Sequence, residues 1–188
     1  MFVIIKKSNE RQGEILFMNH NDRLTRLRYA LNIKDEDMVE IFALGGHSVT
    51  PEEIRAMLKK QTPDTLDKTS TEEDKYKENV YELTLENEAF ERFLNGLITS
   101  QRGSKDDQKL VLELTEKNAN NLMLKKIKIA LSLTSDDLLD MLEDEGVFLS
   151  KSELSAVLRR EGHRNYKVCG DRYIRNFLKA LAKQYRNQ

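Results

Sequence analysis

The chain has 188 residues, 31 Lys or Arg against 32 Asp or Glu, and a net charge of −1, so no strong overall field draws in polyanions or polycations. A 39% hydrophobic and 34% charged composition with two prolines and no tryptophan suits a soluble, helix-rich protein. The single cysteine, Cys169, excludes an internal disulfide, and no apolar run reaches the roughly 20 residues of a membrane helix, so a cytoplasmic protein is expected.

Residues 1–17, MFVIIKKSNERQGEILF, lack the layout of a secretory signal. FVII and EILF around SNERQG fit a small hairpin; an extension ahead of an internal start at Met18 fits equally well. After Met18 the chain is duplicated. Residues 23–60 lie over residues 123–160 at a constant offset of 100, with eight identities in 38 positions and conservative swaps at about fifteen more, where chance supplies about two or three identities. A repeat requires each copy to be the same supersecondary unit.

Each copy reads as helices. Leu24, Leu27, Ala30 and Leu31 recur at helical spacing behind Asn21 and Asp22, which are suited to capping. Met38, Val39, Ile41 and Phe42 mark a second helix that Gly45-Gly46 stops; Leu138, Leu139, Met141 and Leu142 repeat it up to Gly146. Gly46 and Gly146 hold matched positions where the chain leaves the helix through a left-handed conformation. Thr50-Pro51-Glu52-Glu53 and Ser150-Lys151-Ser152-Glu153 are capping boxes, with Val49/Ile54 and Leu149/Leu154 placed for hydrophobic staples. A fourth helix closes each copy: AFERFLNGLI matches YIRNFLKALA at an offset of 84, so 16 extra residues fall in the first copy. They make a charged loop insertion at 61–86. VYELTL and LVLEL allow short extended pieces near the loops, and SQRGSKDDQK (100–109) begins the link between copies.

The expected fold is therefore all-α, a tandem duplication of a roughly four-helix unit. An N-terminal extension (1–17) precedes a first repeat over 18–102; a linker at 103–117 leads to a second repeat over 118–188. The segments NDRLTRLRYALNIKDEDMVEIF, FLNGLI and GHRNYKVCGDRYIRNFLKAL resemble the YehS-like family of bacterial proteins (the DUF1456 tandem domain pair) over about residues 18–182. The resemblance implies a tandem pair of helical domains and carries over no catalytic residue, because the family has none assigned. The leader before Met18 and the charged loop after Lys60 depart from its pattern.

Three groupings bear on chemistry. His163, Cys169 and Asp171 fall within nine residues, but Cys169 matches Leu85 and Asp171 matches Asn87, which fits a buried cysteine ahead of an Asp-capped helix better than a nucleophile. Asp136, Asp137, Asp140, Glu143, Asp144 and Glu145 form an acidic run without calcium-loop spacing, read as a solvated face. No catalytic, cofactor or metal site is assigned. Residues 159–186 hold nine Lys or Arg against two acids. Arg172, Arg175, Lys179, Lys183 and Arg186 share one helical arc, and Arg159, Arg160, Arg164 and Lys167 precede them. This ridge suits phosphates, so the expected function is non-catalytic binding with nucleic acid the first candidate ligand; the alternative is an adaptor that holds a protein partner in a groove between repeats. Glu88 and Glu91 match Arg172 and Arg175, so a pseudo-twofold axis near the fourth helices would pair these charges instead.

Overall fold

The structure is a computed structural model that describes residues 18–61, 78–103 and 111–186. The N-terminal hairpin or extension and most of the charged insertion lie outside the described residues. Eight helices follow in two sets of four among those described: α1 (His20–Ala30), α2 (Asp35–Leu44), α3 (Pro51–Leu58) and α4 (Asn87–Arg102), then α5 (Ala119–Ala130), α6 (Ser135–Glu143), α7 (Lys151–Leu158) and α8 (Asp171–Arg186). The fold is all-α and duplicated. VYELTL contributes only an isolated antiparallel bridge between Lys60 and Tyr81, and 111–115 is irregular. The first residues of the predicted link, Ser100–Arg102, are the last turn of α4.

Local chemistry explains the helix ends. Thr50 and Ser150 accept from the backbone N–H of Glu53 and Glu153, whose carboxylates return to the cap N–H. Thr134 and Asp137 make a third such box, at the start of α6. At α1 the expected caps are corrected: Asn19 caps the helix by accepting from Asp22 N, which leaves Asn21 and Asp22 inside the first turn and buried. Gly46 and Gly146 have φ of 77° and 72°. Asn32 and Ser132, also a matched pair, are left-handed at 52° and 55°. There the N–H groups of Ile33 and Leu133 reach back to Arg28 O and Lys128 O, closing α1 and α5 in the same way.

One apolar cluster runs through both repeats, with Phe42, Phe90, Phe93 and Phe177 among its largest fully buried members. Within the first repeat α4 lies against α2 at close range. A Cβ on Gly96 would meet Ile41 O at 1.8 Å, and one on Gly45 would meet Arg92 O at 1.9 Å. The second repeat has Ala180 and Glu145 at these places and closes differently. The Glu145 side chain, 2% exposed, is held by Lys179 (2.7 Å) and Lys183 from α8. These two ammonium groups hold its carboxyl below the usual glutamate range.

The repeats join through exchanged partners: α1 packs on α8, and α4 packs on α5. The fourth helices are not packed on each other, so the expected pairing of Glu88 and Glu91 with Arg172 and Arg175 is not how the halves meet. Glu88 pairs with Arg92 within α4, and Glu91 with Lys126 of α5 at 3.2 Å. The pseudo-twofold relation is real, but each fourth helix faces the other repeat's first helix.

Candidate binding surfaces at the repeat junction

Two buried asparagines establish the correspondence atom by atom. Asn21 Nδ2 donates to Met57 O and Leu83 O (both 2.8 Å), and its Oδ1 accepts from Leu85 N (2.9 Å). Asn121 Nδ2 donates to Val157 O and Lys167 O (both 2.8 Å), and its Oδ1 accepts from Cys169 N (2.9 Å). Every partner is the repeat-matched one. The bracket ties the first helix of each repeat to the end of its third helix and to the strand-like approach to its fourth.

One residue earlier the polar network crosses between repeats. His20 Nε2 lies 2.5 Å from Asn87 Oδ1, and the matched Asn120 Nδ2 donates to Asp171 Oδ1 at 2.7 Å. Arg23, 4% exposed, spans the halves: Nε donates to Asn120 Oδ1 (2.8 Å), an NH2 nitrogen lies 3.8 Å from Asp171 Oδ1, and NH1 lies 3.2 Å from His20 Nδ1. Met18 N donates to the other Asp171 oxygen (2.9 Å). Asp171 is therefore not the cap the sequence suggests: it is the first residue of α8, Gly170 O takes the first helical bond, and the Asp171 carboxylate is committed across the junction. A buried guanidinium beside Nδ1 makes that nitrogen the acceptor and Nε2 the donor to Asn87. Burial first, and Arg23 after it, lower the His20 pKa, so the ring is neutral and fully hydrogen-bonded. It has no free lone pair with which to act as a base.

Cys169 is buried, and burial pushes its thiol up to about 12, so it is protonated at neutral pH. His163 is exposed in a turn, where its Nδ1 accepts from Asn165 N. Among the described residues no group of His, Cys, Asp and Glu is arranged to hold a metal ion. Asp136 pairs with Lys151 (2.8 Å) and Asp137 completes the α6 capping box; these two, Asp140, Glu143 and Asp144 are exposed, as a solvated face requires, whereas the Glu145 side chain is buried in its lysine clamp.

The basic ridge divides once its partners are seen. Lys179 and Lys183 clamp Glu145, Arg160 pairs with Glu113 (2.8 Å), and Lys167 lies 3.4 Å from Glu153. Arg186 stacks 4.0 Å above the Tyr29 ring and donates to Tyr29 O. Arg159 reaches Asn165 O only at 3.5 Å. Arg164 and Arg172 are exposed, and Arg175 is half-buried and engaged by a neighbour. Arg175 and Lys179 line a groove of about 460 Å³ between α1 and α8, together with Arg26, Tyr29, Leu178 and Ala182. Sequence periodicity identified the cations of α8 but missed Arg26, which comes from the other repeat.

The α4–α5 interface is the repeat-matched copy of this groove, and its charge is different. There Lys126 sits between Glu91 and Asn95, which it contacts at 3.2 and 2.5 Å, and Glu91 also accepts from the N–H groups of Glu113 and Leu114 (both 2.7 Å). At α1–α8 the matched residues are Arg26, Arg175 and Lys179. The first seam pairs its cation with a carboxylate; the second holds three cationic side chains, of which Lys179 is taken up by Glu145.

Comparison with known proteins agrees with this duplication. A family model described as "Protein of unknown function (DUF1456)" matches in two segments, residues 20–103 and 120–187. The chain belongs to this family. It is also 36% identical over 165 residues to the uncharacterized protein YehS of Escherichia coli (strain K12), covering 88% of this chain and 95% of that protein. No solved structure matches. Among the described residues no helix is long and apolar enough to cross a membrane.

Proposed function

We propose that this DUF1456 protein is a non-catalytic binding module that holds the phosphates of nucleic acid along the basic α1–α8 groove, in the cytosol. The observation that carries the reading is the charge reversal between the two junctions. Where the α4–α5 seam has Glu91 and Asn95 around Lys126, the α1–α8 seam has Arg175 and Lys179 around Arg26. With Arg175 and Lys179 in those places, Arg26 lacks the carboxylate that its match Lys126 finds in Glu91, and a phosphate supplies that charge. Arg26 makes no ion pair among the described residues, and Arg172 extends the row by one helical turn. Tyr29, 60% exposed at the rim, offers a ring for a base once Arg186 swings aside.

The test is fluorescence anisotropy with labelled single-stranded RNA, single-stranded DNA and duplex DNA at low and moderate salt. Binding through the groove weakens by about tenfold or more between roughly 50 and 200 mM salt for three or more phosphate contacts. Arg26→Glu with Arg172→Glu abolishes it, while Lys34→Glu, a charge reversal at the exposed position before α2, does not. These positions leave the Glu145 clamp untouched, which a Lys179 substitution would not. Unchanged affinity in the double variant refutes the reading. The apolar floor of Leu178 and Ala182 favours a second reading, a protein helix seated in the same groove. Salt-insensitive capture of a polypeptide, with no nucleic-acid binding, would select it.

A further inference from the structure

A second cleft, of about 420 Å³, opens in the second repeat between α5, residues 111–113 and the turn after α7. Its meaning comes from the matched place in the first repeat, which is filled. There the Tyr81 ring is 5% exposed, its hydroxyl donates to Asp22 Oδ1 (2.8 Å) beside Thr25, and Lys60 Nζ lies 5.9 Å from its centroid. The repeat-matched residues Leu122, Lys125 and Arg160 all line the open cleft. The residue matched to Tyr81 is Asn165, which is exposed; the chain turns there through His163 N to Arg160 O and Tyr166 N to His163 O, so Asn165 does not enter the cleft as Tyr81 does.

The charges have changed in step with the vacated ring. In the first repeat Asp22 lies 3.8 Å from Lys60, and Glu82 pairs with Lys59 at 2.6 Å. In the second repeat the two acids are Leu122 and Tyr166, the two cations persist as Arg159 and Arg160, and Thr25 has become Lys125. Arg160 retains a carboxylate, Glu113, and Glu161 is occupied by Asn118 Nδ2 (2.7 Å). Lys125 and Arg159 have no carboxylate partner among the described residues. The Tyr166 hydroxyl is buried and has no hydrogen-bond partner there either. A buried hydroxyl left without a partner is costly, and a ligand oxygen would relieve it.

We propose that this cleft is a binding site for a small aromatic anion: a ring of about phenol size takes the volume that Tyr81 fills in the first repeat, and its carboxylate meets Lys125, Arg159 and the Tyr166 hydroxyl. Leu122 gives the ring an apolar wall where the first repeat has Asp22. The Asn121 bracket and the Asn118 bonds to Glu113 O and Glu161 hold the floor in shape without the ligand. The site is separate from the α1–α8 groove and stands or falls independently of nucleic-acid binding.

The experiment is an amide chemical-shift titration of the full chain with phenylacetate, with benzyl alcohol and acetate as the ring-only and charge-only arms. Phenylacetate gives saturable shifts centred on Leu122, Lys125 and Tyr166, at a millimolar or tighter dissociation constant, and each partial probe binds about tenfold more weakly or worse. Arg159→Ala weakens phenylacetate by about tenfold, and Tyr166→Phe, which removes only the hydroxyl, by about threefold or more. Leu122→Phe, which fills the cleft from its own wall, abolishes the shifts. Should Arg159→Ala fail to fold, the Tyr166→Phe and Leu122→Phe variants still decide the matter. Shifts that do not saturate, that centre elsewhere, or that survive Leu122→Phe in a folded protein overturn the proposal.

Discussion

Replacing Asn21 or Asn121 with alanine should destabilise the protein by nearly the same amount, although the two lie 100 residues apart and their sequence neighbours differ. Each amide makes three hydrogen bonds, all to backbone groups. Each loss leaves two carbonyls and one N–H without their partner in a largely buried site. At about 1 kcal/mol net for a hydrogen bond, and more for a buried group left without a partner, the cost is about 3–5 kcal/mol per site. That is a large share of the roughly 5–15 kcal/mol that holds a typical domain together. Asparagine to aspartate sharpens the test. The carboxylate still accepts from Cys169 N or Leu85 N, but it faces two carbonyl oxygens that need donors. Asn121→Asp should therefore lose at least as much as Asn121→Ala at neutral pH and recover part of it in acid, where a protonated carboxyl donates to one of them. Urea unfolding followed by far-UV circular dichroism measures all four variants. A loss below about 1 kcal/mol at either site, or a large loss in one repeat with none in the other, would refute the claim that the same bracket secures both.

Gly96→Ala should destabilise by about 3 kcal/mol or more despite alanine's better helix propensity, because the methyl meets the Ile41 carbonyl; the matched Ala180→Gly should lose only about 1 kcal/mol, both read by thermal unfolding. His20 is a base whose folded pKa is lowered, so the unfolded chain takes up its proton first and stability is lost as pH falls through the ordinary histidine range. His20→Asn, copying Asn120, should therefore flatten the stability profile between about pH 7 and pH 5, and an unchanged profile would refute that assignment. The Cys169 thiol, raised to about 12 by burial, should resist iodoacetamide in the native protein at neutral pH and react on unfolding in urea; mass spectrometry showing rapid native alkylation would contradict its placement.

The duplication was legible because helix cores, stop glycines and capping boxes are local patterns that survive divergence. Thr50/Glu53 and Ser150/Glu153 needed only spacing to be recognised. The brackets were not legible, since NHND and ANNL share a single identity, at the asparagine itself, and a buried polar residue breaks the apolar periodicity that flags a core. The run of three cap-competent residues in NHND also hid which one caps; only the approach of the chain from Met18 assigns it to Asn19. On α8, spacing placed the cations on one arc but carried no information about what they face. Glu145 stands where the first repeat has Gly45, and this single exchange turns Lys179 and Lys183 from a free ridge into a clamp. The mate of each fourth helix was equally hidden: matched charges suggested α4 against α8, whereas each fourth helix packs on the other repeat's first helix, which sends Glu91 to Lys126.

Arg23 has Met123 as its counterpart, a thioether buried in the core. Two separate copies of one module, encoded once, would have to carry the same residue at both seats. They would then bury either two guanidinium groups or none at all. Divergence of the two halves made one seat ionic and the other oily. The two halves are therefore no longer interchangeable, and a molecule built from two first halves or two second halves would be mismatched at its centre.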